Sequence, residues 1–323
     1  MNIKLNIPES FYQGEERCGY YVSPEMKRVW AVELDIIAEF DRVCRKNNLQ
    51  WYADGGTLLG AARHKGFIPW DDDVDVVMMR KDYERLREIA DKEFSSPYVL
   101  KTPENEPCRW ALPFAKVFNE STTLFEKSTM RLLKHKCKPP RHSNGIFIDV
   151  FVFDDVPDDL ASFRKIMKKA KASFAMSRKL IGFTEAYAPT PKMWKRHAKA
   201  LLHYILTKMN ISGHKYLVET MNEIRSYTNP DSKNVAALCT ALFNKNILTC
   251  DMRDIYQLFD RSYFEDTVYF PFEMLSIPVP SGWRNILSNY YGDWQSYVIR
   301  PPHGLFYDTE HPYTYYTEEG HPF

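Results

Sequence analysis

Four aspartates, Asp71, Asp72, Asp73 and Asp75, stand directly ahead of an apolar run in the segment GGTLLGAARHKGFIPWDDDVDVVM, residues 55–78. So much negative charge at the edge of a core marks either an acidic surface loop or a cation site. Local composition divides the segment. A short strand is expected over Leu49–Ala53, ending at Gly55-Gly56, and Thr57 to His64 has helical spacing. Gly66-Phe67-Ile68-Pro69 then turns the chain into a second strand, expected from Asp73 to Met79. Side chains alternate along a strand, so Asp71, Asp73 and Asp75 would share one face, with Val74, Val76 and Met78 on the core face. Asp72 falls off the first face and reads as a turn or capping carboxylate. Like charges on one face repel unless a cation lies between them. Oxygen ligands of this kind suit Mg²⁺ or Mn²⁺ rather than zinc. The commonplace alternative is an acidic turn in water.

Ser23-Pro24 marks a helix start, and the apolar spacing behind it predicts one amphipathic helix over residues 24 to 47. A further helix is expected over Lys81–Phe94, and strands over Tyr98–Lys101, Phe114–Phe118, Thr122–Glu126 and Gly145–Phe153. From Leu160 to about Thr228 the pattern is helical, broken at Ala188-Pro189-Thr190-Pro191 and near Ser212-Gly213. The last third mixes short strands and helices. This order predicts an α+β fold: a mixed sheet flanked by helices, with a helical insertion. At 323 residues the chain can bury a substantial core.

Charge is balanced, with 43 Lys+Arg against 42 Asp+Glu, so no global field recruits nucleic acid. The six cysteines are scattered without a CxxC pair, which fits free thiols in a reducing compartment. The first residues lack the apolar stretch of a signal peptide, and no run is long enough to span a bilayer. A cytoplasmic protein, peripheral to a membrane if it meets one, is the expectation.

One more carboxylate bears on the aspartate cluster. Asp149, in GIFIDVF, sits between Ile148 and Val150 on a predicted strand, and a lone buried Asp needs an ion or a pair. Carboxylates from two strands beside a Gly-Gly-Thr loop form a constellation suited to phosphoryl transfer.

The segment YADGGTLLGAARHKGFIPWDDDVDVVM resembles the signature of the LicD/fukutin family, within the polymerase-β-like nucleotidyltransferase superfamily. KVFNESTT, GIFIDVFVFDDVP, IPVPSGWRNILSNYYGDW and RPPH continue the resemblance over roughly residues 26 to 303. It implies a single LicD-like catalytic domain over residues 1–323: a nucleotidyltransferase core (24–158), a basic helical insertion (159–230) and a return segment (231–323). Gly55, Gly56 and Thr57 would hold phosphate oxygens. Asp73 and Asp75 would hold two divalent ions, with Asp71 contributing. Asp149 would bind the ion near the acceptor hydroxyl and help remove its proton. The implied reaction moves a phosphorylated alcohol, phosphocholine foremost, from a CDP-linked donor onto a glycan hydroxyl or a lipid-linked glycan precursor, and CMP leaves. The cofactor implied is Mg²⁺ or Mn²⁺.

With the resemblance in hand, Arg63, His64 and Lys116 become candidates for binding the donor phosphates. Standing alone, Arg63-His64-Lys65 reads equally as a solvated helix C-terminus. Trp70 reads as a core anchor or as a wall of the nucleotide pocket. Tyr290, Tyr291, Trp294 and Tyr297, with Tyr313, Tyr315 and Tyr316, are candidates for an aromatic cage around a quaternary ammonium. Between Leu160 and Lys215, Glu185 stands alone against thirteen Lys or Arg. The helices FRKIMKKAKASFAMSRKL and KMWKRHAKALLHYIL present basic faces there, which suits an anionic membrane surface or a phosphate-bearing acceptor. Two other functions share these residues: nucleotidyl transfer with release of pyrophosphate, and a non-catalytic glycan- or lipid-binding module. Nucleic acid is not an expected partner.

Overall fold

In the computed structural model, the described residues are 2–105, 112–125, 145–184, 201, 205, 209, 211–252, 255, 257–300, 305–317, 319 and 321. A hairpin of β1 (Glu15–Arg17) and β2 (Tyr20–Val22) leads into α1 (Pro24–Lys46). The Ser23 hydroxyl caps α1 by accepting from the Met26 amide, with Pro24 at the first helical position. α1 is buried on nearly every side, Lys27, Glu33, Asp35 and Glu39 included. Such a helix belongs inside the molecule rather than on its rim.

β3 (Tyr52–Ala53), α2 (Gly55–Arg63), β4 (Asp75–Met79), α3 (Arg80–Glu93), β5 (Tyr98–Lys101), β6 (Ala115–Asn119), β7 (Thr123–Phe125) and β8 (Ile146–Val156) follow. α4 (Leu160–Thr184) and α5 (Gly213–Arg225) lie beyond β8. The chain returns through β9 (Asn234–Ala236), β10 (Leu258–Asp260), the hairpin β11 (Thr267–Phe272) with β12 (Leu275–Pro280), α6 (Trp283–Tyr291) and β13 (Phe306–Asp308). The fold is α+β, as expected.

The eleven residues of β8 organise the sheet. On one edge β8 pairs β4 in parallel, from Asp75 opposite Asp149 to Met79 opposite Phe153. On the other edge it pairs antiparallel β6 over Ile146–Val150, then antiparallel β9 over Asp154–Val156. Ile148, Val150 and Val152 are fully buried, which anchors the register, because a one-residue slip would exchange them with Asp149 and its face.

β4 begins at Asp75, two residues later than the sequence suggested. Asp71, Asp72, Asp73 and Val74 form an extended approach to the strand, so the three aspartates do not share one strand face. Alternating burial persists, with Asp72 and Val74 buried and Asp71, Asp73 and Asp75 half-buried. The glycines also differ from expectation. Gly55 and Gly56 are the first turn of α2 rather than a loop before it.

α4 carries Phe163, Met167, Ala170 and Phe174 on one face, against Leu217 and Ile224 of α5. Its opposite face exposes Lys165, Lys168, Lys169, Arg178 and Lys179. Arg164 and Lys171 instead reach carbonyls of Cys250 and Asn244, at 3.1 and 2.5 Å. The expected second basic helix, KMWKRHAKALLHYIL, and the Ala188–Pro191 break lie outside the described residues, apart from Leu201 and Ile205. Among the described residues no helix is long and apolar enough to cross a membrane.

Candidate active site

Three neighbouring strands place Asp75, Asp149 and Lys116 in one row, since Asp149 of β8 is opposite Asp75 of β4 and opposite Lys116 of β6. Lys116 Nζ lies 2.6 Å from Asp149 Oδ1 and 3.3 Å above the Phe147 ring. Burial raises the pKa of Asp149, and the Lys116 ammonium opposes that rise. The charge of Lys116 is thus engaged by Asp149 rather than held ready for a donor phosphate. Burial raises Asp75 well above the usual carboxylate range, and repulsion from Asp73, Asp149, Asp54 and Asp71 adds to it.

The first turn of α2 closes on these carboxylates. A Cβ at Gly55 would stand 2.8 Å from Asp75 Oδ2, and one at Gly56 2.6 Å from Asp71 Oδ2. Gly55 also has φ of +50°, in the left-handed region that suits glycine. Only side-chain-free residues let the positive end of the helix approach so closely. The Thr57 hydroxyl accepts the Asp75 amide at 2.8 Å and is buried, so Thr57 holds the strand end in place.

Asp71, Asp72 and Asp73 line a cleft of about 450 Å³. Trp70, Tyr290, Tyr291 and Trp294 supply its aromatic walls, and Arg63 and Arg300 its positive groups. Asp75 and Asp149 are not part of that lining. Arg63 donates from Nη1 to the carbonyls of Trp294 and Ser296, each at 2.8 Å, and from Nε to His64 Nε2 at 2.9 Å. It therefore ties the segment after α6 to α2 while facing the cleft.

His64 is not a cation here. Burial, then Arg63 and Arg17, lower its pKa to about 4, and its Nε2 accepts from Arg63. Tyr297 packs on Arg63 and His64. Tyr313 and Tyr316 belong elsewhere, around Phe125 and Phe306, and Tyr315 packs on Tyr316, so these three do not join Tyr290, Tyr291 and Trp294 at the cleft.

Asp54, Glu33 and Tyr307 escaped the sequence reading, and Asp72 has a larger part than that reading gave it. Asp54 accepts from the Tyr290 hydroxyl at 2.7 Å, and burial raises its pKa to about 6. Asp72, read as a turn or capping carboxylate, is buried and accepts from the Tyr307 hydroxyl at 2.7 Å. Glu33 of α1 is buried beside the aspartates, and its Oε2 has no hydrogen-bond partner among the described residues. The one sequence signal for Glu33 was an acid inside the apolar helix stretch VWAVELDII.

Asp71, Asp73, Asp75 and Asp149 are the residues that could hold a divalent ion. The donor chemistry fits a hard cation: carboxylate oxygens alone, crowded enough to push Asp75 upward, with an orphaned Glu33 oxygen alongside. Among the described residues no three His, Cys, Asp or Glu side chains converge as a ready cage, and Asp149 is paired with Lys116.

Residues 48–192 match the family model described as LicD/FKTN/FKRP, nucleotidyltransferase domain. The chain is 26% identical over 272 residues to the lipopolysaccharide cholinephosphotransferase LicD of Haemophilus influenzae, covering 83% of this chain and 89% of that one. An uncharacterised protein of Rickettsia prowazekii is 26% identical over 146 residues, 45% of each chain. One of Rickettsia typhi is 48% identical over 56 residues, 17% of this chain and 18% of its own. The matched domain contains the β3–α2–β4 unit and β8, the elements that bring Asp75 and Asp149 together, so the part of the chain that carries these carboxylates is the part similar to the LicD/FKTN/FKRP nucleotidyltransferase domain.

Proposed function

We propose that the protein, a LicD-type phosphotransferase, moves a phospho-alcohol, phosphocholine foremost, from a CDP-linked donor to a hydroxyl of a surface glycan or its lipid-linked precursor, releasing CMP. The observation that carries this reading is the cleft, lined by Asp71, Asp72 and Asp73 and by the rings of Trp70, Tyr290, Tyr291 and Trp294, with Asp75 of the following strand paired in register with Asp149. The likeness to a lipopolysaccharide cholinephosphotransferase along most of both chains supports it. An alcohol bearing a quaternary ammonium suits ring faces such as Tyr291 and Trp294, and a pyrophosphate suits a site with a cation and Arg63 nearby.

A divalent ion bound by Asp71, Asp73, Asp75 and Asp149 would neutralise the pyrophosphate oxygens. The acceptor oxygen forms a bond to the phosphorus of the phospho-alcohol, and the bond from that phosphorus to the CMP oxygen breaks with its electron pair leaving on CMP. Asp149, raised in pKa by burial against the opposing pull of Lys116, is placed to take the acceptor hydroxyl's proton. The exposed basic face of α4 is a surface for an anionic membrane or a phosphorylated acceptor.

The test is CMP release from CDP-choline with and without Mg²⁺, for wild type, Asp75→Asn and Asp149→Asn. Metal-dependent CMP release absent from both variants is expected. Release of pyrophosphate from a nucleoside triphosphate instead would assign nucleotidyl transfer, and failure of every CDP-linked alcohol would sink the reading.

A further inference from the structure

Glu33 lies midway along α1 and is 1% exposed. Three residues earlier, on the same helix face, Trp30 Nε1 donates to the Asp71 carbonyl at 3.0 Å. That bond rests this face of α1 against the aspartate segment. Glu33 Oε2 is buried without a hydrogen-bond partner among the described residues. Burial first, then the charges of Asp73, Asp72, Asp71 and Asp75, hold the Glu33 carboxyl well above its usual range. The same carboxyl acts on Tyr307, the residue that donates to Asp72.

For packing alone a carboxyl among four carboxylates is a poor choice of side chain at this position, since a methionine of similar volume would avoid both desolvation and repulsion. A divalent cation among the aspartates adds an attraction for the Glu33 carboxylate that offsets both the repulsion and the desolvation. We propose that Glu33 supplies a further oxygen to a divalent cation held by the Asp71–Asp75 segment, directly or through one bound water, closing the site from its helix side. The inference rests on the cation reading of the aspartates given above. Glu33 reaches the site from α1, outside the matched domain, so the ion would tie α1 to the strand end that carries the aspartates.

The experiment titrates Mn²⁺ into the chelator-treated full chain, following free Mn²⁺ by electron paramagnetic resonance and melting temperature in parallel. Wild type is expected to bind and Asp75→Asn to lose binding. Glu33→Gln is expected to bind about 10-fold or more weakly, yet to melt at or above the wild-type temperature when metal-free. Wild-type affinity in Glu33→Gln would overturn the proposal. So would a metal-free Glu33→Gln that melts well below wild type or does not fold, because the carboxyl would then be a structural group. Absence of Mn²⁺ binding in wild type, or full binding in Asp75→Asn, would instead remove the cation reading itself.

Discussion

Lys116 Nζ stands 2.6 Å from Asp149 Oδ1, and both side chains are at least 86% removed from solvent by their relative exposures of 10% and 14%. Neither residue is near the other in sequence; β6 and β8 bring them together by antiparallel register. Breaking such a buried pair from one side leaves an uncompensated charge. Lys116→Met is therefore expected to destabilise the protein by about 3 kcal/mol. The double variant Lys116→Met/Asp149→Asn should recover most of that loss while remaining inactive. Urea denaturation of the four proteins checks the cycle, and additive losses would contradict it.

Gly55 and Gly56 admit the helix end to the carboxylates. Gly55→Ala adds strain of about 1–2 kcal/mol from the positive φ, and its Cβ displaces Asp75 Oδ2. Gly56→Ala displaces Asp71 Oδ2 without a positive φ. Both should lose turnover by roughly 100-fold, as misplacement near the chemistry does, but only Gly55→Ala should lose stability appreciably. Steady-state kinetics and thermal melts separate the two effects.

His64 gives a pH dependence with a definite sign. Its folded pKa of about 4 lies below the ordinary 6.5, so the unfolded chain binds more protons between those values. Its contribution is fully present above pH 6.5 and is lost as pH falls towards 4. Discounted for partial exposure, it amounts to about 2 kcal/mol. His64→Gln should flatten the stability profile across this window, measured by denaturant unfolding at a series of pH values. An unchanged profile would mean that His64 is not held neutral.

Tyr307→Phe removes a hydroxyl that donates to the buried Asp72 carboxylate at 2.7 Å. The cost should be about 1.5–3 kcal/mol. Because Asp72 lies between Asp71 and Asp73, turnover should fall as well, with the donor KM less affected. Kinetics beside melting temperature would show whether the two losses travel together.

Tyr291 offers its ring to the cleft and is 39% exposed. If the transferred alcohol carries a quaternary ammonium, Tyr291→Ala should raise KM for CDP-choline by about 3- to 30-fold, the worth of one cation–π contact. KM for CDP-glycerol should stay within about two-fold. Equal effects on both donors would remove Tyr291 from alcohol recognition.

The sequence by itself determined the elements whose signals are local. Ser23-Pro24 starts α1, apolar spacing outlines α3 and one face of α4, and alternation marks β8. The segment from Gly55 to Met78 was distinctive enough to show a resemblance to the LicD/fukutin family and to nominate Asp71, Asp73 and Asp75, with Asp149 added from GIFIDVF. Tertiary structure decided which charges meet. Register put Lys116 on Asp149 and thereby occupied a residue that looked available for phosphate. Burial made His64 neutral, and the return of the chain through β13 placed Tyr307 on Asp72, turning an apparent turn or capping carboxylate into a buried anchor. Glu33 was hidden because an acid within a helix pattern is ordinarily assigned to the solvent face, and only packing of α1 against the aspartate segment shows otherwise. Local periodicity fixes where a side chain points along its own element; desolvation and charge at a site depend on what other elements bring to the same place, and that distance in space is not written in the spacing of residues along the chain.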